Sequence, residues 1–179
     1  MISLWLTLLG KVAFSQSAGY EAIKSFLPEN HWKRDSVGDK LDSAVKLGVS
    51  TSAFQIEGAW NVDGKGESIW DRFIHTAVDN EEMFETADDA CESYKYPERD
   101  VANVKELGLS TYKVSISWPR IVPTGKVSDG INSLGLQYYS KLFNLLLEAG
   151  IEPVVTIFDW DLPQNLEEEY GGFLRRRFI

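Results

Sequence analysis

The polar residues with the clearest chemical potential lie in VVTIFDWDLPQ, residues 154–164, where a run of strand-forming residues ends in Asp159, Trp160 and Asp161. Carboxylates two residues apart on an extended chain share a face, so they could act as an acid–base pair. They could instead belong to a sugar site, because an indole packs against a pyranose ring and carboxylates accept hydrogen bonds from hydroxyls. A turn that only ends the strand is the third possibility. The choice depends on the elements that position the segment.

Strand and helix patterns alternate along the chain. The apolar patterning predicts strands at residues 46–52, 111–117 and 153–158, and the last of these is apolar enough to be covered on both faces. Helical spacing predicts intervening helices at residues 97–107 and 134–149. This order of elements predicts an α/β fold with a parallel sheet and right-handed crossovers.

The ends of the two helices carry recognisable signals. Pro97 suits a first helical turn, Ser133 is the predicted N-cap of the second helix, and Gly150 is its predicted stop. The apolar spacing predicts one buried stripe on each helix, formed by Val101, Val104 and Leu107 and by Leu142, Leu145 and Leu146.

Each predicted strand is followed by a segment that contains tryptophan. The three segments are AFQIEGAW, WPRI and DWDLPQ, with Trp60, Trp118 and Trp160. Ligand contacts in parallel α/β folds gather beyond the carboxyl ends of the strands. A single tryptophan at such a place is also an ordinary core or rim residue. Recurrence at three strand ends, with Gln, Asp and Glu nearby, favours a sugar site.

Composition excludes several other kinds of site. A net charge of −9 opposes binding to nucleic acid. With Cys91 as the only cysteine and two histidines, His31 and His75, the sequence predicts no structural metal and no Ser-His or Cys-His triad. We expect no cofactor. GKGES at residues 64–68 lacks the spacing of a phosphate loop and indicates a turn, and the basic run at 175–177 indicates a solvated helix face.

The N-terminal residues have some features of a secretory signal. Residues 2–9 are apolar and small residues follow at 15–18, but no basic residue precedes the run and Lys11 interrupts the segment. We therefore expect a signal peptide at 1–18, a lead-in segment at 19–45 and an extracellular location, with an ordinary N-terminal segment as the alternative. The run at residues 2–9 is too short to span a bilayer, and the sequence contains no second apolar run long enough for a membrane anchor.

Several long motifs, in order, resemble glycoside hydrolase family 1, the group of β-glucosidases, lactase-phlorizin hydrolase, myrosinases and klotho proteins. The motifs are GVSTSAFQIEGAWNVDGKGESIWD at residues 48–71, then DDACESY, KELGLSTY, SISWPRI, GIEPVVTIFDWDLPQ and EEEYGGF. The resemblance implies a (β/α)8 barrel, of which residues 46–179 would form the N-terminal part with about three of eight strands. It also implies retaining hydrolysis of a β-linked glycoside.

Four positions can be carried over from the family pattern. Gln55 and Trp160 match residues that contact the sugar, and Asp159 stands where the family has a histidine that also binds sugar hydroxyls. Lys113 stands where the family has an arginine close to the nucleophile. Lysine keeps the charge but loses the planar set of donors. An anion at position 159 would raise the pKa of a neighbouring carboxyl group.

The family takes its catalytic glutamates from an Asn-Glu-Pro motif and a Glu-Asn-Gly-type motif, and neither tripeptide occurs in this sequence. We therefore expect no catalytic residue within these 179 residues, no activity of the chain alone, and instability from an open sheet edge. Three hypotheses stay open: part of a β-glycosidase, a degenerate glycosidase-like binding protein, and a truncated product without function.

Four further residues have expected structural roles. We expect Glu57 to be a hydrogen-bond partner and Cys91 to be a small buried residue. Glu67 and Asp71 are expected to organise a loop over the end of the first strand.

Overall fold

A computed structural model describes residues 46–79 and 85–174. The expected signal peptide and lead-in segment, residues 1–45, and the basic run at 175–177 lie outside the described residues.

Three parallel strands form one sheet in the order in which they occur in the chain. They are β1 (Gly48–Ser50), β2 (Thr111–Ser115) and β3 (Glu152–Thr156). In register, Ser50 lies beside Lys113, and Lys113 lies beside Val154. The predicted parallel sheet is therefore confirmed, although each strand is shorter than its apolar pattern indicated.

Helices connect the strands and follow them. Within the described residues the α-helices are α1 (Ala53–Ile56), α2 (Ile69–Asp79), α3 (Pro97–Glu106), α4 (Trp118–Ile121), α5 (Ser133–Glu148) and α6 (Gln164–Tyr170). Single 3-10 turns occupy Val127–Asp129 and Gly172–Leu174. Two short helices, α1 and α4, directly follow β1 and β2 and were not predicted. Pro119 lies in the first turn of α4, where a missing amide hydrogen costs nothing, so this proline begins a helix as well as ending a strand.

The predicted N-cap of α5 was wrong by one residue. Asn132 is the cap, because its side-chain oxygen accepts a hydrogen bond from the amide of Leu134 at 3.1 Å, while Ser133 is the first helical residue. The Asn132 amide group also donates to the carbonyl oxygens of Asp63 at 2.8 Å and Arg120 at 2.9 Å. A serine hydroxyl is too short to reach these partners together, so the surrounding loops select asparagine.

Helices α3 and α5 pack on one face of the sheet and form the core. The buried members are Val101, Val104, Tyr112, Val114, Tyr138, Tyr139, Leu142, Leu146 and Ile151. The predicted stripe on α3 is correct for Val101 and Val104 and wrong for Leu107, which follows the helix as its C-cap and is 55% exposed. Because Tyr112 and Val114 face this core, the intervening Lys113 lies on the opposite face of the sheet.

Strand β3 has a neighbour on one side only within the described residues. Val154, Val155 and Ile157 are 44%, 40% and 80% exposed, so this part of the chain does not cover the strand on both faces. The arrangement fits the expected open edge with exposed apolar residues. None of the described helices is long and apolar enough to cross a bilayer.

Candidate functional site

Residues that follow the three strands meet at one edge of the sheet, which we call the strand-exit edge: residues 51–60, 116–121 and 157–164. Parallel strands end on the same side, so these segments are neighbours. Gln55 lies on α1 with its side chain exposed, and Asp159 and Trp160 follow β3. Lys113 lies within β2, on the face opposite the helical core. The structure thus places Gln55, Asp159 and Trp160 at the edge and Lys113 on the adjoining sheet face.

Trp160 is the most exposed tryptophan named at the strand ends. Its side chain is 69% exposed, and its backbone has φ of 68°, the left-handed region that bulky residues rarely adopt. The ring of Phe158 lies 6.4 Å from Trp160, 6.0 Å from Trp118 and 5.0 Å from Phe173, measured between centroids. Trp160 therefore extends an aromatic surface outward from the strand-exit edge.

The structure does not place Asp159 and Asp161 as an acid–base pair. The left-handed backbone at Trp160 breaks the extended conformation that would place both carboxylates on one face. Asp159 is partly exposed, whereas Asp161 is only 2% exposed. The two carboxyl groups therefore lie in different environments.

Asp161 is a buried carboxyl group, and neither of its oxygens makes a well-formed hydrogen bond to a described protein group, although the Ser117 side chain lies close by. Burial raises its pKa to about 7, against a smaller opposing effect of the Ser117 side chain. Its backbone neighbours are fixed, since the carbonyl oxygen of Leu162 accepts from the amide of Ile69 at 2.8 Å and the amide of Gln164 donates to Glu67 at 2.8 Å. Asp161 thus lies inside the protein at the base of the Trp160 segment.

The raised pKa of Asp161 predicts a pH-dependent stability. Between about pH 4 and pH 7 the folded chain holds a proton that the unfolded chain releases, so stability falls as pH rises through this window. Asp161→Asn removes this titration, and we expect the variant to gain about 2–4 kcal/mol relative to the wild type at pH 8 and little at pH 4. Urea unfolding at both pH values measures the difference. Asp129→Asn, at an exposed carboxylate, should change it little; an equal gain for Asp161→Asn at both pH values would contradict the assignment.

A buried ion pair joins the exits of β1 and β2. Arg120, 1% exposed, donates from Nε to Glu57 at 2.7 Å and from Nη2 to the carbonyl oxygen of Gly58 at 2.9 Å. Tyr139 of α5 donates to the other Glu57 oxygen at 2.6 Å. Gly58 has φ of 61°, and a Cβ there would lie 2.0 Å from the carbonyl oxygen of Asp89, so only glycine fits. Glu57 is therefore the structural hydrogen-bond partner that the sequence predicted.

Residues 64–71, a loop that runs into the first turn of α2 and that we call the 64–71 loop, connect the strand exits to one another. Its Asp71 carboxylate accepts from the Ser68 amide and hydroxyl, both at 2.8 Å, and from Lys65 at 2.7 Å. The amide of Gly66 donates to the carbonyl oxygen of Pro119 at 2.8 Å, beyond β2. Asp71 thus organises this loop as predicted.

Glu67 orders the outer side of the same loop. Its two oxygens accept from Arg72 at 2.8 and 2.7 Å, and Arg72 also donates to Glu168 of α6 at 3.0 Å. These ion pairs connect the 64–71 loop to α6, the helix that follows β3, as expected for Glu67. Each pair is weak, because its side chains are exposed to solvent.

Trp60 and His75 contact other side chains of the fold instead of lining an open surface. Trp60 packs edge-on against His75 at 4.4 Å between ring centroids, and His75 Nε2 lies 2.7 Å from Asp88. Cys91 is half-buried where full burial was expected, and partial burial raises the pKa of its thiol. In residues 46–79 and 85–174 no three His, Cys, Asp or Glu side chains form a group that could hold a metal ion.

The motifs at the strand exits have a counterpart in a known family. The sequence profile described as Glycosyl hydrolase family 1 matches residues 39–179. The chain belongs to glycosyl hydrolase family 1.

Relatives in family 1 agree with the fold. A maize β-D-glucosidase that acts on a benzoxazinyl glucoside is 58% identical over 136 residues, 76% of this chain and 24% of the maize protein. Avenacosidase 1 of Avena sativa is 44% identical over 97% of this chain and 29% of its own length. A family 1 β-glucosidase of Humicola insolens, solved with glucose, is 46% identical with a TM-score of 0.68 over 74% of this chain and 28% of that one. The chain thus spans about a quarter of these relatives and has the fold of the N-terminal part of the (β/α)8 barrel.

The expected extracellular location was wrong. Two similar maize proteins and one from wheat carry the description chloroplastic, which points to a plastid. Targeting segments for both destinations contain small and hydroxylated residues near the N-terminus, so the apolar run at residues 2–9 was an insufficient guide.

Sequence reasoning missed Arg120 and the burial of Asp161. Arg120 directly follows Pro119 in WPRI, and Asp161 lies two residues before Pro163 in DWDLPQ; both segments follow strands. A charge in an otherwise apolar strand exit is a usable signal for a buried polar network.

Proposed function

We propose that the chain forms one side of the substrate site of a retaining β-glycosidase that acts on β-glucosides. The observation that carries the proposal is the position of Gln55 after β1 and of Asp159 and Trp160 after β3, at the same edge of one parallel sheet. In this proposal Gln55 and Asp159 bind sugar hydroxyls and the Trp160 indole packs against the ring. The two catalytic carboxyl groups would come from barrel strands that these residues do not include.

Lys113 has an electrostatic role in the same proposal. It lies in the middle of β2, on the sheet face away from Tyr112 and Val114. In a closed barrel this face is the interior, where a cation stabilises the ionised form of a nucleophilic carboxyl group. The names of the relatives support a glucoside as the substrate class, because the maize proteins are described as glucoside β-D-glucosidases.

A second candidate function is sugar binding without turnover. It is favoured by Asp159, which offers only acceptors where a histidine could donate, and by Lys113, which lacks the planar donor set of arginine. Both departures weaken catalysis more than they weaken binding of a neutral sugar, because they act through the charge of the nucleophile.

A segment exchange tests the proposed function. Residues 46–174 of this chain would replace the matching segment of the maize β-glucosidase, which supplies the rest of the barrel. We expect the hybrid to hydrolyse an aryl β-glucoside, and Gln55→Ala to lower its kcat/KM by about 10- to 100-fold, since a hydroxyl of the substrate loses its partner.

Gln137→Ala is the matched control, because Gln137 is an exposed glutamine on α5, which packs on the opposite face of the sheet. Equal kcat/KM for both variants would reject the assignment of Gln55. A folded hybrid that binds the glucoside and does not cleave it would favour the binding function.

A further inference from the structure

A small cavity lies beneath the strand-exit edge. Its volume is about 10 Å³, and its polar lining includes Ser117, Arg120, Asp161, Lys65 and Ser68. A buried water needs about 10–15 Å³ and two to four polar partners. The cavity volume is thus at the lower end of what one water requires.

Two of the lining residues have polar atoms with no well-formed hydrogen bond to a described protein group, although the Ser117 side chain lies close to the Asp161 carboxyl group. These atoms are Nη1 of Arg120 and both carboxyl oxygens of Asp161. The other Arg120 nitrogens, Nε and Nη2, are bound to Glu57 and to the Gly58 carbonyl oxygen. Asp161 and Arg120 are 2% and 1% exposed, so bulk solvent does not reach them. Both residues line the same cavity, and their unpartnered atoms are one buried donor and two buried acceptors.

The charges around the cavity leave Asp161 as the unmatched group. Arg120 is paired with Glu57 and Lys65 with Asp71, each at 2.7 Å. Asp161 has no cation of its own. A water that accepts from Arg120 Nη1 and donates to Asp161 would satisfy both groups without disturbing either ion pair.

We propose that Arg120 and Asp161 hold one buried water between them and that this link makes Asp161 a positioning residue for Trp160. Asp161 directly follows Trp160, whose left-handed backbone requires support from its surroundings. The Asp161 side chain, which is buried and bound to the water, fixes the backbone immediately after Trp160 and so supplies this support. The contact of Trp160 with sugar rests on the proposed function, whereas the water site does not.

The test compares the wild-type 179-residue chain with Asp161→Asn and Asp161→Leu. A crystal structure of the wild type should show one water within hydrogen-bond distance of Arg120 Nη1 and Asp161. Asparagine can still accept from that water, but leucine fills the cavity and has no polar atom. Backbone chemical shifts should keep Trp160 in the left-handed region in the Asn variant and move it out in the Leu variant.

Hydrogen exchange gives a second readout. The amide of Ile69 donates to the carbonyl oxygen of Leu162, and the amide of Gln164 donates to that of Glu67. In the Leu variant we expect both amides to exchange at least about tenfold faster. A direct bond between Asp161 and Nη1, or a dry cavity, would overturn the water site. An unchanged Trp160 backbone in the Leu variant would overturn the positioning role. If the Leu variant does not fold, the wild-type structure and the Asn variant still decide the water site, and neither result depends on sugar binding.

Discussion

Replacing Arg120 with methionine is expected to destabilise the fold by about 3–5 kcal/mol, a large share of the net stability of a typical domain. The substitution leaves Glu57 buried with a full charge and only the Tyr139 hydroxyl as partner. It also removes the guanidinium that lies 4.0 Å from the centre of the Tyr94 ring. The urea midpoint of the 179-residue chain at pH 7 measures the loss.

Two further variants test whether the unpaired charge of Glu57 causes the loss of stability. Arg72→Met removes an arginine that also bonds two glutamates but is exposed, so it should cost only a small fraction of the loss at Arg120. Glu57→Leu combined with Arg120→Met removes both buried charges and should recover much of the stability. If the double variant is as unstable as Arg120→Met alone, the unpaired charge of Glu57 is not the cause.

In the hybrid glucosidase, Asp159→His together with Lys113→Arg is expected to raise kcat/KM for an aryl β-glucoside by about 10²-fold or more. Histidine removes an anion that would raise the pKa of the nucleophile, and it can donate to a sugar hydroxyl. Arginine adds a planar set of donors at the sheet face that Lys113 occupies. Steady-state kinetics of the hybrid and the double variant give the ratio.

The same exchanges at exposed positions provide the control. Asp129→His and Lys141→Arg change exposed side chains that bond Thr124 and Glu98, and they should leave kcat/KM within about twofold. Fast hydrolysis by the unmodified hybrid, with no gain in the double variant, would exclude the binding function and show that Asp159 and Lys113 suffice for turnover.

Local pattern predicted the elements of this fold better than it predicted their ends. The parallel sheet and helices α3 and α5 follow from apolar spacing, which depends on residues within one or two turns. The cap at Asn132 and the exposure of Leu107 depend on contacts with other segments, among them Asp63, which is far away in sequence. Such contacts do not appear in a local pattern.

The candidate site, too, could be predicted only in part from local pattern. The positions of Gln55, Asp159 and Trp160 after strand ends follow from the order of elements. The burial of Asp161 could not be predicted, because it results from the left-handed turn at Trp160 and from packing against the 64–71 loop. The Glu57 and Arg120 pair joins residues 63 positions apart, which no period in the sequence indicates.

The connection of the 64–71 loop to the segment after β3 also determines when the strand-exit edge can form during folding. The bonds from Ile69 to Leu162 and from Gln164 to Glu67 close a span of more than ninety residues. Contacts of this sequence separation carry a large loop-closure entropy and form slowly. During synthesis the loop leaves the ribosome before Leu162 emerges, so Ser68 and Asp71, which are buried in the finished structure, stay open to solvent throughout that interval.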